Sequence, residues 1–321
     1  MPKQAYNRAV DRKSAFEKAF LERVGTAPSK NVPLSALSNF GIGGPADLFF
    51  EALDEEELAR AVSVAFAEKF PFYVIGGGYN LLFDDAGYRG LIIRNRLEGI
   101  RREGSCLNVL SGTSLSRVLS TAVAEGLTGL EFLAGIPGTV GGAIYGNAGA
   151  YGWSIGDFVR WATILWPDGE RKTVTRENLA FGYRDSVLKK KPGIVLKAAL
   201  LCTPGDKAES ETRIKEILGR RWAKHPPHGT ACAGSYFKNS CSATGARIAA
   251  GQLLDQAGAR GLSVGDAAVS DVHCNFLVNK GNARAADVLA LAAELKDLVE
   301  RKFGLRLEEE VIYLRADASM I

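Results

Sequence analysis

The stretch Gly135-Ile136-Pro137-Gly138-Thr139-Val140-Gly141-Gly142-Ala143-Ile144-Tyr145-Gly146-Asn147-Ala148-Gly149-Ala150-Tyr151-Gly152 decides how this chain reads. Seven of its 18 residues are glycine and none is charged. An ordinary helix is not expected, because each interior glycine costs about 1 kcal/mol relative to alanine. The run is also too apolar for a solvated Gly/Ser linker. Glycine permits positive φ and lets another molecule come close to the main chain. Two readings follow: a backbone cradle for a large, flat, anionic ligand, or a tight turn between buried strands.

Upstream, a second glycine-rich segment supports the first reading. Leu48–Glu51 reads as a strand fed by the glycine-rich turn Asn39–Asp47. Asp54 and Glu57 form a capping-box pattern, and a helix follows with Leu58, Ala61, Val62 and Ala65 on one face. Pro71–Ile75 is β-rich and stops at Gly76-Gly77-Gly78-Tyr79-Asn80, before Leu81-Leu82-Phe83 and the strand Gly90–Arg94. The triple glycine can turn N–H groups toward phosphate oxygens. It is neither a G-x-x-x-x-G-K-[ST] loop nor a G-x-G-x-x-G turn opening a helix. By itself it fits a turn as well as a ligand loop.

The remaining elements frame these two segments. Phe16, Phe20 and Val24 make one apolar stripe on a short helix over 11–24, ended by Gly25. Residues 105–111 read as a strand, and Thr113 or Ser114 caps a helix running to Glu125. Residues 162–175 form a hairpin with a Pro-Asp-Gly turn, and Ile194–Cys202 is a long apolar strand. Helices are expected over 206–224, 248–256 and 287–303, strands over 267–269, 275–279 and 308–314, and a loop over 234–240.

Composition narrows the function. With 321 residues, 46% hydrophobic and 24% charged, the chain is globular and long enough for two or three domains. A net charge of +4 is too mild for a nucleic-acid partner, and Lys189-Lys190-Lys191 reads as a solvated loop. Five widely spaced cysteines (Cys106, Cys202, Cys232, Cys241, Cys274) suggest neither a disulfide framework nor a zinc site. Three histidines make a metal site unexpected, and none is assigned. A polar N-terminus and the lack of any apolar run of about 18 residues point to a cytoplasmic protein that does not span a membrane.

Several short motifs then occur in one order. They are Gly43-Gly44-Pro45-Ala46-Asp47, Ile75-Gly76-Gly77-Gly78-Tyr79-Asn80-Leu81-Leu82, and Gly129-Leu130-Glu131-Phe132-Leu133-Ala134 leading into the opening stretch. Phe181-Gly182-Tyr183-Arg184-Asp185-Ser186, Gly234-Ser235-Tyr236-Phe237-Lys238-Asn239 and Lys302–Val311 follow. Over Leu34–Leu314 this order resembles the UDP-N-acetylenolpyruvoylglucosamine reductase (MurB) family.

The resemblance implies an α+β chain with the FAD-binding fold of the vanillyl-alcohol oxidase (PCMH) type. Two FAD-binding subdomains would be joined by a C-terminal α+β substrate-binding domain. The expected divisions are a helical extension at 1–30, subdomains at 31–98 and 99–205, and a substrate domain at 206–305, with 306–321 returning to the first subdomain. It implies non-covalent FAD and NADPH as hydride donor. The acceptor would be the enolpyruvyl ether of UDP-N-acetylglucosamine, giving UDP-N-acetylmuramate for peptidoglycan. The only partner expected is this small-molecule substrate, and a monomer is expected.

The same resemblance assigns residues. FAD would lie against Gly76, Gly77, Gly78, Tyr79, Asn80 and Leu81, and against Gly135, Ile136, Pro137, Gly138, Gly141, Gly142, Asn147, Ala148 and Gly149. Arg184 would hold the substrate carboxylate, since a guanidinium fork suits a planar anion and a developing enolate. Ser235 would protonate the substrate carbon, with Glu310 assisting. Tyr183, Lys238 and Asn239 would contact substrate. Taken singly, each of these residues reads as a surface ion pair, a turn or a strand edge; only their joint order says otherwise.

Two positions depart from the family pattern. Tyr79 stands where serine is usual, and Ser240 where proline is usual. The short link from Arg184 to Ile194 resembles the form of the family that lacks an extra tyrosine-bearing loop. Two alternatives stay open: an oxidase of the same flavin fold, or a non-catalytic FAD-binding paralogue. Covalent FAD attachment through histidine is disfavoured, because no histidine precedes His225.

Overall fold

A computed structural model describes residues 3–241, 245 and 247–318, with side chains from Arg12 onward. Residues 319–321 of the expected returning segment lie outside the described residues. The chain divides into two compact units. The first comprises Met1–Val32, Ala46–Gly76 and Arg89–Arg213; the second comprises Pro33–Pro45, Gly77–Tyr88 and Ile214–Ile321.

The first unit begins with helix α1 (Lys3–Val24), longer than its apolar stripe alone indicates. Its Phe16 stacks on Phe70 at 4.0 Å between ring centroids, and Phe20 meets Phe50 edge-on at 5.2 Å. Burying such rings contributes roughly 2 kcal/mol each. Strands β1 (Ser29–Pro33) and β2 (Pro45–Ala52) come next, followed by helix α2 (Glu55–Ala67). The Asp54 half of the capping pattern holds, the Glu57 N–H donating to Asp54 Oδ1 at 2.8 Å; Glu57 Oε2 instead accepts the N–H of Leu53, one residue before the cap, at 2.8 Å.

Strand β3 (Phe72–Ile75) runs parallel to β5 (Tyr88–Asn95), Val74 opposite Ile93. The four-stranded sheet has the order β1-β2-β5-β3. A five-stranded antiparallel sheet is built from β6 (Ile100–Glu103), β7 (Cys106–Leu110), Val159–Leu165, Arg171–Thr175 and Ile194–Leu201. Leu165 and Leu196 of this sheet share one core with Phe16, Leu48, Leu58 and Leu91.

The second unit centres on a four-stranded antiparallel sheet in the order Cys232–Ser235, Phe276–Asn279, Ala267–Val269, Ser263–Val264. Helices α6 (Ala250–Ala257) and α7 (Ala285–Phe303) supply the apolar residues of its core, among them Leu253, Leu254, Val288, Leu291, Leu295 and Val299. Helix α7 starts two residues before the expected Asp287. Asp85 accounts for this: its two carboxylate oxygens accept the N–H groups of Ala285 and Ala286 at 2.7 and 3.1 Å. Such a cap from 200 residues away leaves no local signal.

Strand β4 (Leu81–Phe83) pairs in parallel with Ile312–Leu314. The expected final strand over 308–314 is therefore shorter. Glu308–Glu310 instead run beside residues 236–238, where the backbones exchange single bonds rather than a regular ladder.

Candidate active site

The opening stretch does contain a helix, contrary to the glycine argument. Helix α4 (Val140–Gly146) is seven residues long and held at both ends. The Thr139 hydroxyl oxygen accepts the Gly142 N–H at 3.4 Å. Asn147 closes the other end in the left-handed region, φ 45°. Caps of about 1 kcal/mol each offset part of the glycine cost over so short a span.

The glycines here have separable reasons. A Cβ on Gly141 would meet Ser111 Cβ at 3.1 Å and the Ser111 carbonyl oxygen at 3.2 Å, so this glycine packs closely on Ser111. A Cβ on Gly149 would lie 2.4 Å from the Trp153 carbonyl oxygen. Gly138 and Gly146 face open space, and Gly142 has only Thr139 Oγ1 near, at 3.5 Å. These three bare faces are where a ligand can touch main chain, and they fit a large flat group such as FAD. Gly76 belongs to the same place, since its Cβ would sit 2.5 Å from Thr139 Oγ1, the cap of α4.

Asn147 also ties the cradle to the arginine turn. It is 6% exposed; its Nδ2 donates to the Gly182 carbonyl at 2.7 Å and its Oδ1 accepts the Gly156 N–H at 3.0 Å. A second link lies beside it: the Ser186 hydroxyl, 1% exposed, donates to the Tyr145 carbonyl at 2.8 Å. Between these anchors Gly182 and Asp185 exchange backbone bonds at 3.0 and 3.3 Å. Arg184 sits at the tip with φ 53°, a conformation that costs a non-glycine residue about 1 kcal/mol. Its carbonyl accepts from Lys189 Nζ at 2.6 Å, and its guanidinium carbon lies 5.5 Å from the half-exposed Tyr183 ring. Burial, helped by the Asp185 carboxylate, pushes the Tyr145 phenol above its ordinary pKa.

In the second unit the rest of the triple glycine is explained by packing. A Cβ on Gly77 would touch the Tyr79 ring at 2.6 Å, so this tyrosine folds back over the glycine. Gly78, φ 69°, would drive a Cβ to 1.8 Å from the Leu37 carbonyl oxygen. Asn80 then reaches the predicted glutamate: its Nδ2 donates to the Glu310 carbonyl at 3.1 Å, and its own carbonyl accepts the Ile312 N–H at 3.1 Å.

The loop expected over 234–240 is partly strand. Ser235 ends the strand Cys232–Ser235 opposite Phe276, after a register shift at Gly234, φ 76°. Tyr236 follows, and its carbonyl accepts the Glu310 N–H at 2.8 Å. The Glu310 peptide is thus gripped by Asn80 on one side and by the residue after Ser235 on the other. Lys238 donates its N–H to the Glu308 carbonyl at 2.8 Å, and its ammonium lies 3.1 Å from the Glu308 carboxylate. Asn239 Oδ1 accepts the Ala250 N–H at the start of α6, at 3.1 Å. Ser240, in the usual proline's place, pairs with Ile248.

Arg184 and Tyr183 therefore belong to the first unit with residues 135–149, and Ser235, Lys238, Asn239 and Glu310 to the second with residues 77–81. Sequence reasoning missed the anchor Ser186, and gave Asn147 a role toward cofactor alone. A buried asparagine next to a turn is the one local hint for such anchors. Among the described residues no group of His, Cys, Asp and Glu could hold a metal ion, and the five cysteines are free thiols.

Comparison with known proteins decides the family. Residues 46–175 match the model of an FAD binding domain, and residues 226–314 match that of the UDP-N-acetylenolpyruvoylglucosamine reductase C-terminal domain. UDP-N-acetylenolpyruvoylglucosamine reductase 2 of Symbiobacterium thermophilum is 41% identical over 87% of this chain and 89% of its own. The reductase of Solibacter usitatus is 38% identical over 90% of this chain and 97% of its own. The chain belongs to the UDP-N-acetylenolpyruvoylglucosamine reductase family. The crystal structure of the Thermus caldophilus reductase (MurB) superposes with a TM-score of 0.75 at 36% identity, covering 88% of this chain and 97% of that one. In this reductase family the fold is the FAD-binding domain of the vanillyl-alcohol oxidase type followed by the family's own C-terminal domain. The chain is an FAD-dependent oxidoreductase with NADPH as its hydride donor.

Proposed function

We infer that the chain performs the family's reaction: NADPH-dependent reduction of UDP-N-acetylenolpyruvoylglucosamine to UDP-N-acetylmuramate, a step of peptidoglycan precursor synthesis. When bound, FAD carries the hydride from NADPH to the acceptor. Segments 76–81 and 135–149 are our proposed FAD contacts, without a covalent tether; within 135–149 the bare backbone at Gly138, Gly142 and Gly146 would meet it.

Arg184 holds the substrate carboxylate. Its turn is fixed by Asn147 and Ser186 in advance of binding, so the guanidinium needs little reordering to meet a planar anion. The fixed positive charge also favours the enolate that forms beside it. Ser235 gives its hydroxyl proton to the substrate carbon. A hydroxyl is a weak acid and needs both a strongly basic carbon and support, which Glu310 supplies. The observation that carries this assignment is the bond between Tyr236 and Glu310, which keeps the residue after Ser235 in register with the glutamate. Tyr183, Lys238 and Asn239 line the substrate path.

The link from Arg184 to Ile194 holds only the short turn Val187–Lys189, which supports the form of the family without the extra tyrosine-bearing loop. The expected subdomains, 31–98 and 99–205 for FAD and 206–305 for substrate, remain our division of labour. Among the described residues no helix is long and apolar enough to cross a membrane. We place the protein in the cytoplasm as a monomer, where its nucleotide-sugar substrate is its sole partner. The test is spectroscopic: the purified protein is yellow, NADPH bleaches it, and the enolpyruvyl substrate restores the colour without oxygen. A colourless protein, or a bleached flavin the substrate cannot reoxidise, overturns the reading.

A further inference from the structure

The strand carrying Ser235 outlives its sheet. Cys232 pairs with Val278 and Ser235 with Phe276, with a register shift between. The Tyr236 N–H still donates to the Asn275 carbonyl at 2.8 Å. There the regular ladder ends, yet Phe237 keeps two partners, both from one side chain. Its N–H donates to Asn275 Oδ1 at 2.9 Å, and its carbonyl accepts from Asn275 Nδ2 at 2.9 Å. A carboxamide carries the same donor and acceptor pair as a peptide, so Asn275 serves as one further strand residue where the main chains have parted.

Asn275 is itself rigid. It is 3% exposed, and its N–H donates to His273 Nδ1 at 3.1 Å. All four of its polar groups are therefore engaged. The opposite edge of the same segment is bonded to 308–310, through the Tyr236 carbonyl and the Lys238 N–H. Tyr236 is bonded on both edges, Phe237 on the Asn275 side and Lys238 on the side of 308–310. Tyr236 and Phe237 are 2% and 1% exposed, so water cannot replace a partner lost at Phe237.

We propose that Asn275 is a positioning residue for proton delivery, holding the Ser235 segment in register with Glu310. The inference rests on the reading of Ser235 as the acid. Without the carboxamide that edge keeps only the Tyr236 N–H bond to the Asn275 carbonyl, Phe237 loses both its partners, and Ser235 shifts against Glu310. A misplacement on the order of 1 Å is enough to cost about 100-fold in rate. Binding of FAD and its reduction by NADPH ask nothing of this clamp.

The test uses the full-length holoenzyme with Asn275→Ala, Asn275→Asp and Ser235→Ala in anaerobic stopped flow, following flavin absorbance. Asn275→Asp is nearly isosteric and keeps the acceptor for the Phe237 N–H while losing the donor. Expected is NADPH bleaching within about twofold of the parent in both Asn275 variants. Reoxidation by the enolpyruvyl substrate slows by about 10- to 100-fold in Asn275→Ala and less in Asn275→Asp. The solvent deuterium isotope effect on reoxidation rises in both, which loss of stability alone does not produce. Equal slowing of both half-reactions, or parent-like reoxidation with an unchanged isotope effect, overturns the proposal. Slow reoxidation in Ser235→Ala beside normal Asn275 variants sinks the clamp alone. Parent-like reoxidation in Ser235→Ala removes the acid reading and the clamp with it.

Discussion

The side-chain amide of Asn147 donates to the Gly182 carbonyl at 2.7 Å, joining the end of the glycine-rich helix to the turn that carries Arg184. The other half of the same carboxamide accepts from Gly156. The proposed cofactor cradle and the proposed carboxylate clamp are thereby one hydrogen-bonded piece within the first unit.

Asn147→Ala removes both bonds, leaving the Gly156 N–H without its acceptor and the Gly182 carbonyl with only the longer bond from the Asp185 N–H. A loss of about 2–4 kcal/mol in urea unfolding is expected. The KM for the enolpyruvyl acceptor rises roughly tenfold as the arginine turn loosens. Unchanged unfolding and unchanged KM together contradict the link.

Arg184→Lys keeps the charge and the left-handed backbone but loses the planar fork. Stability stays within about 0.5 kcal/mol, because lysine meets the same strain at φ 53°. The kcat/KM for the acceptor falls by about 100-fold or more, while NADPH still bleaches the flavin. Full activity in this variant removes the clamp.

Gly78→Ala separates packing from ligand binding. Its Cβ would meet the Leu37 carbonyl oxygen at 1.8 Å, so the cost is about 3 kcal/mol or more before any cofactor is considered. Gly104→Ala is the control: φ is 61° there too, but nothing lies within 4 Å, and about 1 kcal/mol is expected. Chemical unfolding of the two variants side by side checks the contrast.

Acid weakens the second unit. Burial, then Arg221 and His273, push the His225 imidazole down to about 4, and burial lowers His273 as well. His225 lies among the rings of His273 and Phe276, at 5.7 and 5.1 Å. Both histidines fold neutral, and His273 Nδ1 must stay unprotonated to accept from Asn275. The unfolded chain takes up the His225 proton near pH 6.5, whereas the folded chain resists until about pH 4. Stability is therefore full above pH 6.5 and falls as pH drops from 6.5 toward 4, with His273 acting in the same direction. Denaturation midpoints for the parent and His225→Phe across this range give the answer: the variant's slope should be shallower.

Local pattern carried far in this chain, and its failures share a cause. Helices α1, α2, α3 (Leu115–Ala124) and α7 follow apolar periodicity and capping residues that act within four positions. The error at α4 came from weighing glycine cost without the caps Thr139 and Asn147. The true start of α7 depends on Asp85, and the shortened final strand on Phe237 and Tyr236, partners far away in sequence. At the site, motif order pointed to Arg184, Ser235 and Glu310. It could not reveal the anchoring bonds of Asn147, Ser186 and Asn275, whose side chains act on backbone groups 35, 41 and 38 residues away. Such bonds leave no periodic trace.

The central claim is that Ser235 supplies the proton and the glycine-rich stretch serves only the hydride carrier. Single-turnover kinetics of Ser235→Ala test it most directly. The account predicts a yellow protein that NADPH bleaches at the parent rate, and that the enolpyruvyl substrate reoxidises about 100-fold or more slowly. Reoxidation at the parent rate would contradict it.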